Sequence, residues 1–500
     1  MRRIPIVVAL VIGTFLSSLD VTLVSTAMPR IISELHGIEF YGWVFSTYLL
    51  TSTAMVPIYG KLADLLGRRT PYFIGLSVFL VGSLLCAAAT SMRMLIVARA
   101  VQGIGAGALF PITMTIVGDL FNVAERSRVQ GVLALVWGVS SIIGPAVGGA
   151  FVTYWTWRWG FWINLPIGVA TAIMLAIFYR EKVGRVAQSS RPRIDVAGAV
   201  LVVATLVMLL VAVGRSHIDW RMLGAGAVLL VLFVWVEQRA AEPVVPPTLF
   251  RDGVVVLSCA TNLMLGAVLF AYIAYVTLYL QGVVGLSPVR AGLLAAPVSL
   301  TWPPAAFFVG RWILAYGYRR VLRTSSVLVF VAATCTFSAT TPDLSSGAAL
   351  ALFEAGQLLL GAGMGLGTSA LVIVVQDRVP WSRRGAATAT LQLTRQMGAT
   401  FGTAVLGALV AGFLRHRLAA IPGAPSPEAL LDPEQWKMLG AAMLETSRGA
   451  LGASLRQITM IVLVIGGGAG VATWLFPDVR AGRVDGDTPS DDTSPLTEGI

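Results

Sequence analysis

Residues 60–69 read GKLADLLGRR, and residues 310–320 read GRWILAYGYRR. In each stretch, two glycines seven residues apart are followed by arginines, and the stretch begins where an apolar run of helical length ends. The first glycines of the two copies are separated by 310 − 60 = 250 residues. This offset predicts a chain built from two related halves that repeat the same order of helices.

The composition indicates a lipid-facing surface. Apolar residues make up 56% of the 500 residues and charged residues only 12%, about half the charged share of a typical soluble domain. The mean hydropathy is +0.80. Apolar runs recur along the chain at about the 20-residue length with which an α-helix crosses roughly 30 Å of hydrocarbon. We therefore expect an all-α polytopic membrane protein.

Hydropathy and helix length predict about fourteen membrane-spanning helices, each bounded to within a few residues. The predicted spans are 4–28, 40–60, 72–90, 94–118, 128–151, 161–179, 195–214, 221–238, 255–281, 290–310, 322–341, 348–375, 386–413 and 456–476. Lysine and arginine concentrate in the loops that are cytoplasmic if the amino terminus is cytoplasmic, which predicts an N-in, C-in orientation. Much of the outer basic content lies in a long loop predicted near 414–455.

Four segments follow from these spans. We expect a six-helix bundle at 1–180, a basic inner loop with an inserted helix pair at 181–254, a second six-helix bundle at 255–477, and a disordered cytoplasmic tail at 478–500. The basic stretch from Arg180 to Arg193 predicts a contact with anionic lipid headgroups. Two related six-helix halves match the parallel-repeat design of secondary transporters.

Charge, cysteine and histidine usage exclude several other classes. The net charge of +11 is spread over short loops, unlike the clustered basic face of a nucleic-acid binder. No metal, nucleophile or phosphate-binding constellation is visible, so we expect no enzyme, no cofactor and an ion gradient as the energy source. The cysteines lie in apolar segments and predict buried packing residues, whereas the histidines are far apart in predicted outer loops: Cys86, Cys259, Cys335, His36, His217 and His416.

Several local patterns stand out against this apolar background. The loop after the second helix has Gly60, Asp64, Gly67, Arg68 and Arg69. The fourth helix has Arg99, Gln102, Gly103 and Gly107, and the fifth has Gly144, Pro145, Gly148 and Gly149. The first helix has Leu19-Asp20-Val21-Thr22, and the sixth opens with Trp157-Arg158-Trp159 and continues to Asn164-Leu165-Pro166.

Together these patterns resemble the major facilitator superfamily, and specifically its fourteen-helix drug/proton antiporters. The resemblance spans both halves of the chain. It implies that the loop at 60–69 acts in gating and that the Gly144–Gly149 pattern marks an exporter. A positive-inside loop with ordinary glycine turns explains the arginines of the loop but not the spacing of Asp64. The second copy has Leu314 where the first has Asp64, so a charge relay is not expected there.

Asp20 and Arg99 are the residues that we single out for proton coupling. Asp20 lies about 8 residues from the outer end of its predicted helix and Arg99 about 5, so the two lie at comparable depth. An acid beside an arginine in a shared cavity forms a proton switch, because the acid is protonated when its surroundings change. The alternatives are a static ion pair between two helices and, for Arg99, a side chain that reaches the outer surface.

In the second half, Glu354 and Arg395 are too costly inside a membrane to be incidental. Glu354 is a candidate second proton site or recognition acid, or it reaches water at the outer interface. Arg395 has no acid at its level in the sequence, which favours a role in ordering the helix interface or a water-filled route. It is also a candidate for the substrate cavity, together with Gln102, Asn262 and Tyr275. An aromatic belt at the outer interface is the alternative for the tyrosines Tyr272 and Tyr279 beside Tyr275.

The sequence thus predicts a proton-coupled antiporter that exports drugs, antibiotics or other amphipathic or cationic small molecules across a bacterial plasma membrane by alternating access. An exporter of lipids or metabolites could share every pattern and is the first alternative, and a proton-coupled nutrient importer is the second. The expected partners are the substrate, protons and membrane lipids, with no nucleic acid, and the protein is expected to be a monomer.

Overall fold

A computed structural model describes most of the chain. The described residues are 3–35, 41–180, 195–213, 219–240, 243–286, 290, 294, 296–341, 346–422 and 441–479. The basic loop after Arg180, most of the long outer loop and the acidic tail lie outside them, as do His36 and His217. Within the described residues the secondary structure is helical, as the sequence predicts.

Fifteen α-helices are described here in chain order. They are α1 Arg3–Leu35, α2 Tyr41–Leu66, α3 Arg69–Ala87, α4 Met92–Leu120, α5 Val123–Tyr154, α6 Trp159–Trp162, α7 Asn164–Phe178, α8 Val196–Val213, α9 Trp220–Glu237, α10 Gly253–Ala271, α11 Thr277–Gly282, α12 Pro297–Ala339, α13 Ser346–Arg378, α14 Arg384–Ala419 and α15 Ala441–Trp474. A π-helical segment, Tyr272–Val276, joins α10 to α11, and 3₁₀ turns at Pro247–Arg251 and Trp381–Arg383 precede α10 and α14. By length and composition, ten of the described helical segments are suited to crossing a membrane.

The long segment α12 consists of two helices, and the chain turns back on itself between them at Gly317. Gly317 has a φ of 79° and non-helical ψ, a backbone conformation that only glycine adopts without strain. On one side of it, Val298 and Trp302 pack in order against Gly361 and Gly365 of α13, so the two helices run parallel. On the other side, Ser325 and Ala332 pack in reverse order against Gly363 and Gly356. The two parts of α12 are therefore separate, antiparallel helices, as the spans 290–310 and 322–341 predict.

One boundary prediction is wrong. The region 414–455 was expected to be a loop, yet α14 continues to Ala419 and α15 already begins at Ala441. Hydropathy reports only the part of a helix that lies in hydrocarbon, whereas helical hydrogen bonding continues into water wherever the sequence permits it. His416 accordingly lies in the last turn of α14 and not in a loop.

The internal repeat extends from the sequence into the packing. A Cβ at Gly103 would overlap Thr51 Oγ1 and the carbonyl of Tyr48, and one at Gly361 would overlap Thr301 Oγ1 and the carbonyl of Val298. The partner residues differ by 301 − 51 = 250 and 298 − 48 = 250 positions. Small residues at such contacts allow two backbones to approach closely. The same three-helix unit is therefore built twice.

The two halves meet at the end of the bundle that carries the turn between α2 and α3, which we call the latch end. Gly60 packs against Gly385 and Ala389 of α14, and its repeat partner Gly310 packs against Val123 and Ala124 of α5. Each copy of the repeated glycine thus contacts the opposite half. Along α14, residues 385–393 are all buried, whereas residues 394–397 are all partly exposed. The two halves are therefore in close contact at the latch end.

Candidate functional site

A buried polar network occupies the middle of the first half. Arg99 on α4 donates from NH1 to Asp20 Oδ2 on α1 at 2.6 Å. Gln102 Nε2 and Asn164 Nδ2 donate to Asp20 Oδ1 at 2.8 and 2.9 Å. The predicted closeness of Asp20 and Arg99 is therefore confirmed, and three donors hold one carboxylate.

The surroundings of Arg99 keep its guanidinium in place. The group stacks on the ring of Tyr48, 4.1 Å from the ring centre, and its Nε donates to the carbonyl of Val44 on α2. NH1 also donates to Gln102 Oε1 at 2.7 Å, while NH2 is buried without a hydrogen-bond partner among the described residues. Arg99 and Asp20 both have 0% exposure. The pair therefore lies inside the first half and not on the wall of an open cavity, which differs from the expectation of a shared cavity.

The network ties three helices together through one carboxylate. Asp20 on α1 accepts from Arg99 and Gln102 on α4 and from Asn164 on α7. Breaking a buried ion pair by removing one partner is costly. The contacts of Asp20 therefore depend on the relative positions of α1, α4 and α7.

The second polar centre lies at the latch end. Asp64 near the end of α2 accepts hydrogen bonds from the backbone amides of Gly385 and Ala386 at 2.8 and 2.7 Å. These amides lie in the first turn of α14, where unpaired N–H groups and the helix dipole favour a carboxylate. Asp64 thereby connects the two halves. Burial raises the pKa of Asp64 to about 7, against the opposing effect of Arg68.

Arg68 fills the centre of this contact and is fully buried. Its Nε donates to Asp119 at the end of α4 at 2.9 Å, and its guanidinium stacks 4.1 Å from the ring of Trp381, whose carbonyl it also binds. Gly67 precedes it with a φ of 82°, which gives the sharp turn. Arg69 points away and donates to the carbonyl of Ala176. The predicted loop residues are thus brought together around the seam between the halves.

Two further ion pairs cross the seam with the symmetry of the repeat. Arg384 at the start of α14 contacts Asp119 at 3.4 Å, and Arg126 at the start of α5 contacts Asp377 at 2.7 Å. Both members shift by the same number of positions, 384 − 126 = 258 and 377 − 119 = 258. Asp377 also accepts a hydrogen bond from Tyr318 at 2.5 Å. We call the cross-half contacts of Asp64, Arg68, Asp119, Arg126, Asp377 and Arg384 the latch.

The sequence reasoning missed most of the latch. Asp119, Arg126, Asp377 and Arg384 were not singled out, although the signal was present: an acid at the end of α4 and of α13, and an arginine at the start of α5 and of α14, both repeated at one offset. Asn164 was noted as part of a pattern but not as a ligand of Asp20. Its position at the start of α7 becomes informative only when α1 and α3 pack against it.

The glycine pattern of α5 packs against α1. A Cβ at Gly144 would overlap Thr22 Oγ1, and one at Gly148 would press on Leu23 and Thr26, whereas Gly149 has open space. Ser18 and Ser140 form a hydrogen bond of 2.7 Å beside this contact. Pro145 lies within α5, and its side chain is outside the described atoms. The pattern therefore joins α5 to the helix that carries Asp20.

The predicted residues of the second half do not form one cluster. Glu354 lies on an exposed face of α13, next to exposed Leu358. Asn262 is buried and ties α10 to α14 by donating to the carbonyl of Leu391 at 2.7 Å, so it lies between helices and not on an open wall. Tyr275 is half-buried, and its hydroxyl lies close to Gly407.

Arg395 lies on α14 just beyond the buried stretch at the latch end. It lies in the part of α14 that is partly exposed, and its Nε donates to Gln392 Oε1 at 3.2 Å. Among the described residues this is the only hydrogen bond that Arg395 makes through its side chain, and no carboxylate is within ion-pair distance.

A duplicated all-helical bundle with apolar spans, a buried ion pair in one half and ion pairs across the seam is the arrangement expected of a membrane transporter. The chain belongs to the major facilitator superfamily, because the sequence model of that family matches residues 10–403. It is a multi-pass membrane transporter and not an enzyme.

Relatives and solved structures agree with this assignment. The chain is 35% identical over 417 residues to multidrug transporter protein MdtP of Bacillus subtilis, covering 82% of this chain and 75% of MdtP. It is 28% identical over 480 residues to multidrug resistance protein 3 of the same organism, covering 92% of each. The structure of the proton:xylose symporter XylE superposes with a TM-score of 0.61 at 13% identity, covering 96% of each chain. That similarity shows the fold alone.

Proposed function

We propose that the chain is a proton-coupled antiporter with fourteen membrane-spanning helices and both termini in the cytoplasm, which exports amphipathic small molecules from a bacterial cell. The observation that carries this proposal is the fully buried Asp20–Arg99 pair in the first half. An ionisable pair inside a membrane helix bundle is costly and is retained where it has a function. Its position on two different helices lets protonation change their packing.

In the proposed cycle the latch end is cytoplasmic, so the structure corresponds to a conformation closed toward the cytoplasm. In this conformation Asp20 is held in its charged form by Arg99, Gln102 and Asn164. A proton that reaches Asp20 from outside weakens the pair with Arg99 and allows α1 to shift against α4 and α5. The shift loosens the latch, the cavity opens to the cytoplasm, and a substrate enters as the proton leaves.

The substrate class is proposed from the relatives and the composition of the helices. MdtP and multidrug resistance protein 3 are named for multidrug transport. The helices of this chain offer mainly apolar side chains with few polar groups, the usual lining of sites for amphipathic compounds. Glu354 is exposed on α13 and takes no part in this proposal.

The proposal is tested in inside-out membrane vesicles loaded by respiration with an acidic interior. Uptake of a fluorescent quinolone that collapses on addition of nigericin supports proton-driven export. Uptake that continues after the pH gradient has collapsed contradicts proton coupling. A fluorescent phospholipid analogue in the same vesicles tests the alternative substrate: if only the lipid moves, the protein is a lipid exporter.

A further inference from the structure

Arg395 lies just beyond the buried stretch of α14 at the latch end. Residues 385–393 of α14 are all buried, and the next four residues, including Arg395, are partly exposed. Among the described residues, the guanidinium of Arg395 makes one hydrogen bond, from Nε to Gln392 Oε1. Its two terminal amino groups have no hydrogen-bond partner there.

Helix geometry places Arg395 on the same stripe of α14 as Thr388. At 100° per residue, Thr388, Gln392, Arg395 and Ala399 lie above one another. Thr388 is hydrogen-bonded to Gln376, which in turn donates to the carbonyl of Met114 on α4, so the stripe meets the first half at Thr388. At Arg395 and Ala399 the helix backbone packs closely against Gly266 of α10.

The helices around Arg395 offer it no carboxylate. The helix α10, which packs against α14, contains no acidic residue, and Asp64 on α2 is bound to Gly385 and Ala386. Gly385 is 10 residues, or about 15 Å, from Arg395 along the helix. Asp119 is likewise engaged by Arg68 and Arg384 at the latch end, and Asp20 is engaged by Arg99.

An arginine at this depth is costly unless water or an anion satisfies it. Its neighbours are hydrogen-bonding amides: Gln392 accepts from its Nε, and Gln396 has a buried Oε1 without a partner among the described residues. A planar guanidinium with free amino groups matches the geometry of a carboxylate. The group that completes this site is therefore expected to come from the cargo.

We propose that Arg395 binds the carboxylate of the transported compound, so that the preferred substrates are amphipathic organic acids or zwitterions and not simple lipophilic cations. The inference rests on the proposed function in one respect, that the space between the halves receives the substrate. Gln392 holds the guanidinium in position, and Gln396 offers an acceptor to a hydroxyl or amide of the ligand.

The test compares two fluorescent ligands that differ only in charge, dansylglycine and dansylglycinamide, by titration into the purified full-length protein in detergent. A charge-assisted contact predicts that the wild type binds the acid roughly tenfold or more tightly than the amide. Arg395→Gln is expected to abolish this preference, because it removes the charge that distinguishes the acid from the amide. Arg395→Lys should retain part of the preference, because it keeps the positive charge but loses the planar pair of amino groups that can donate two hydrogen bonds to one carboxylate.

A matched control is Arg323→Gln, which removes one positive charge from the far side of the second half, where Arg323 donates to the carbonyl of Trp474. It should keep the full preference. The proposal is overturned if the wild type does not bind the acid or binds it no more tightly than the amide. It is also overturned if Arg395→Gln retains the preference for the acid. A fall in the Tm of Arg395→Gln without loss of preference also overturns it, because that result marks a structural arginine. The binding titration is made in detergent without an ion gradient. Its result therefore does not depend on whether transport in vesicles proves to be proton-coupled.

Discussion

The two halves share their closest helix contacts but not their charges. In the first half Gly103 allows α4 to touch α2 at Thr51, and in the second half Gly361 allows α13 to touch α12 at Thr301. Four residues before these glycines, the first half has Arg99 and the second has Gln357, both buried. The repeated scaffold therefore requires small residues at these positions, whereas the charge is a property of one half only.

The latch shows the same pattern of shared scaffold and unequal charge. Asp119 and Asp377 each accept from an arginine of the opposite half. In contrast, Asp64 caps the start of α14, while its counterpart Leu314 is 59% exposed. The comparison teaches that duplication supplied the framework for two-sided closure. Of the two six-helix halves, only the first has buried charged side chains among the described residues, and we propose that coupling takes place there.

The largest expected effect comes from Arg99→Gln, which gives the first half the residue type that the second half has at the matching position, Gln357. Arg99→Gln leaves Asp20 buried without its cation, which is expected to lower the free energy of unfolding by about 3–5 kcal/mol. Gradient-driven uptake in inside-out vesicles should fall at least roughly 100-fold, because the carboxyl no longer changes partner with protonation. Transport and thermal unfolding are measured on the same preparations.

The matched control is Gln357→Met, which keeps the size of the side chain and should change transport and Tm little. If Gln357→Met costs as much transport as Arg99→Gln, the halves contribute equally and the asymmetry has no functional meaning.

The shared scaffold predicts equal damage in both halves from added side chains. Gly103→Ala and Gly361→Ala each place a methyl group against a carbonyl and a threonine hydroxyl of the neighbouring helix, which should cost about 1–3 kcal/mol of stability in either case. Gly149→Ala has open space and should be neutral. Thermal unfolding in detergent measures all three. A large cost at one of the paired glycines and none at the other would show that the packing is not repeated.

The unequal latch predicts different consequences at paired positions. Asp64→Leu removes two charged hydrogen bonds to the start of α14 and should open the latch end, whereas Leu314→Asp should change little. In a background without the native cysteines, Thr388→Cys reports opening, since Thr388 is buried beneath the latch. Maleimide labelling of this cysteine should accelerate at least roughly tenfold in Asp64→Leu, because one hydrogen bond to a charged group already contributes about 1.5 kcal/mol. Equal acceleration by Leu314→Asp would contradict the assignment of the latch to the first copy.

The smallest expected effect is a pH dependence of the latch. Burial raises the pKa of Asp64 to about 7 in the closed latch, and exposure on opening returns it toward about 4. The closed latch therefore binds this proton more tightly, so acidification from about pH 8 to about pH 6 favours closure by roughly tenfold, and this preference is lost as the pH rises through about 7. Labelling of Thr388→Cys, normalised to free cysteine, should slow on acidification, and Asp64→Asn should remove the effect. Faster labelling at low pH would reverse the predicted sign.

Local rules were sufficient for much of the fold. The apolar runs and the arginine-rich turns at 60–69 and 310–320 predicted the helices, the repeat and the chain reversal in α12, because length and glycine act locally. The helical ends beyond 414 and before 456 were not predicted, since hydropathy carries no information about a helix outside hydrocarbon.

The candidate site was predictable only in part. Depth along a helix placed Asp20 beside Arg99, and the contact is direct. The depth of a residue along its helix does not tell in which direction around the helix axis its side chain points. The enclosure of the pair by Tyr48 and Asn164 could therefore not be foreseen. The ion pair between Arg126 and Asp377 joins residues 251 positions apart across the seam, and only the packing of the two halves brings them together.

The most direct test of the account is proton release by the purified, detergent-solubilised protein when a transported compound is added, comparing the wild type with Asp20→Asn. The account predicts that substrate binding releases protons from the wild type and that the release disappears in Asp20→Asn while the compound still binds. Undiminished proton release from Asp20→Asn would contradict the assignment of coupling to the buried pair of the first half.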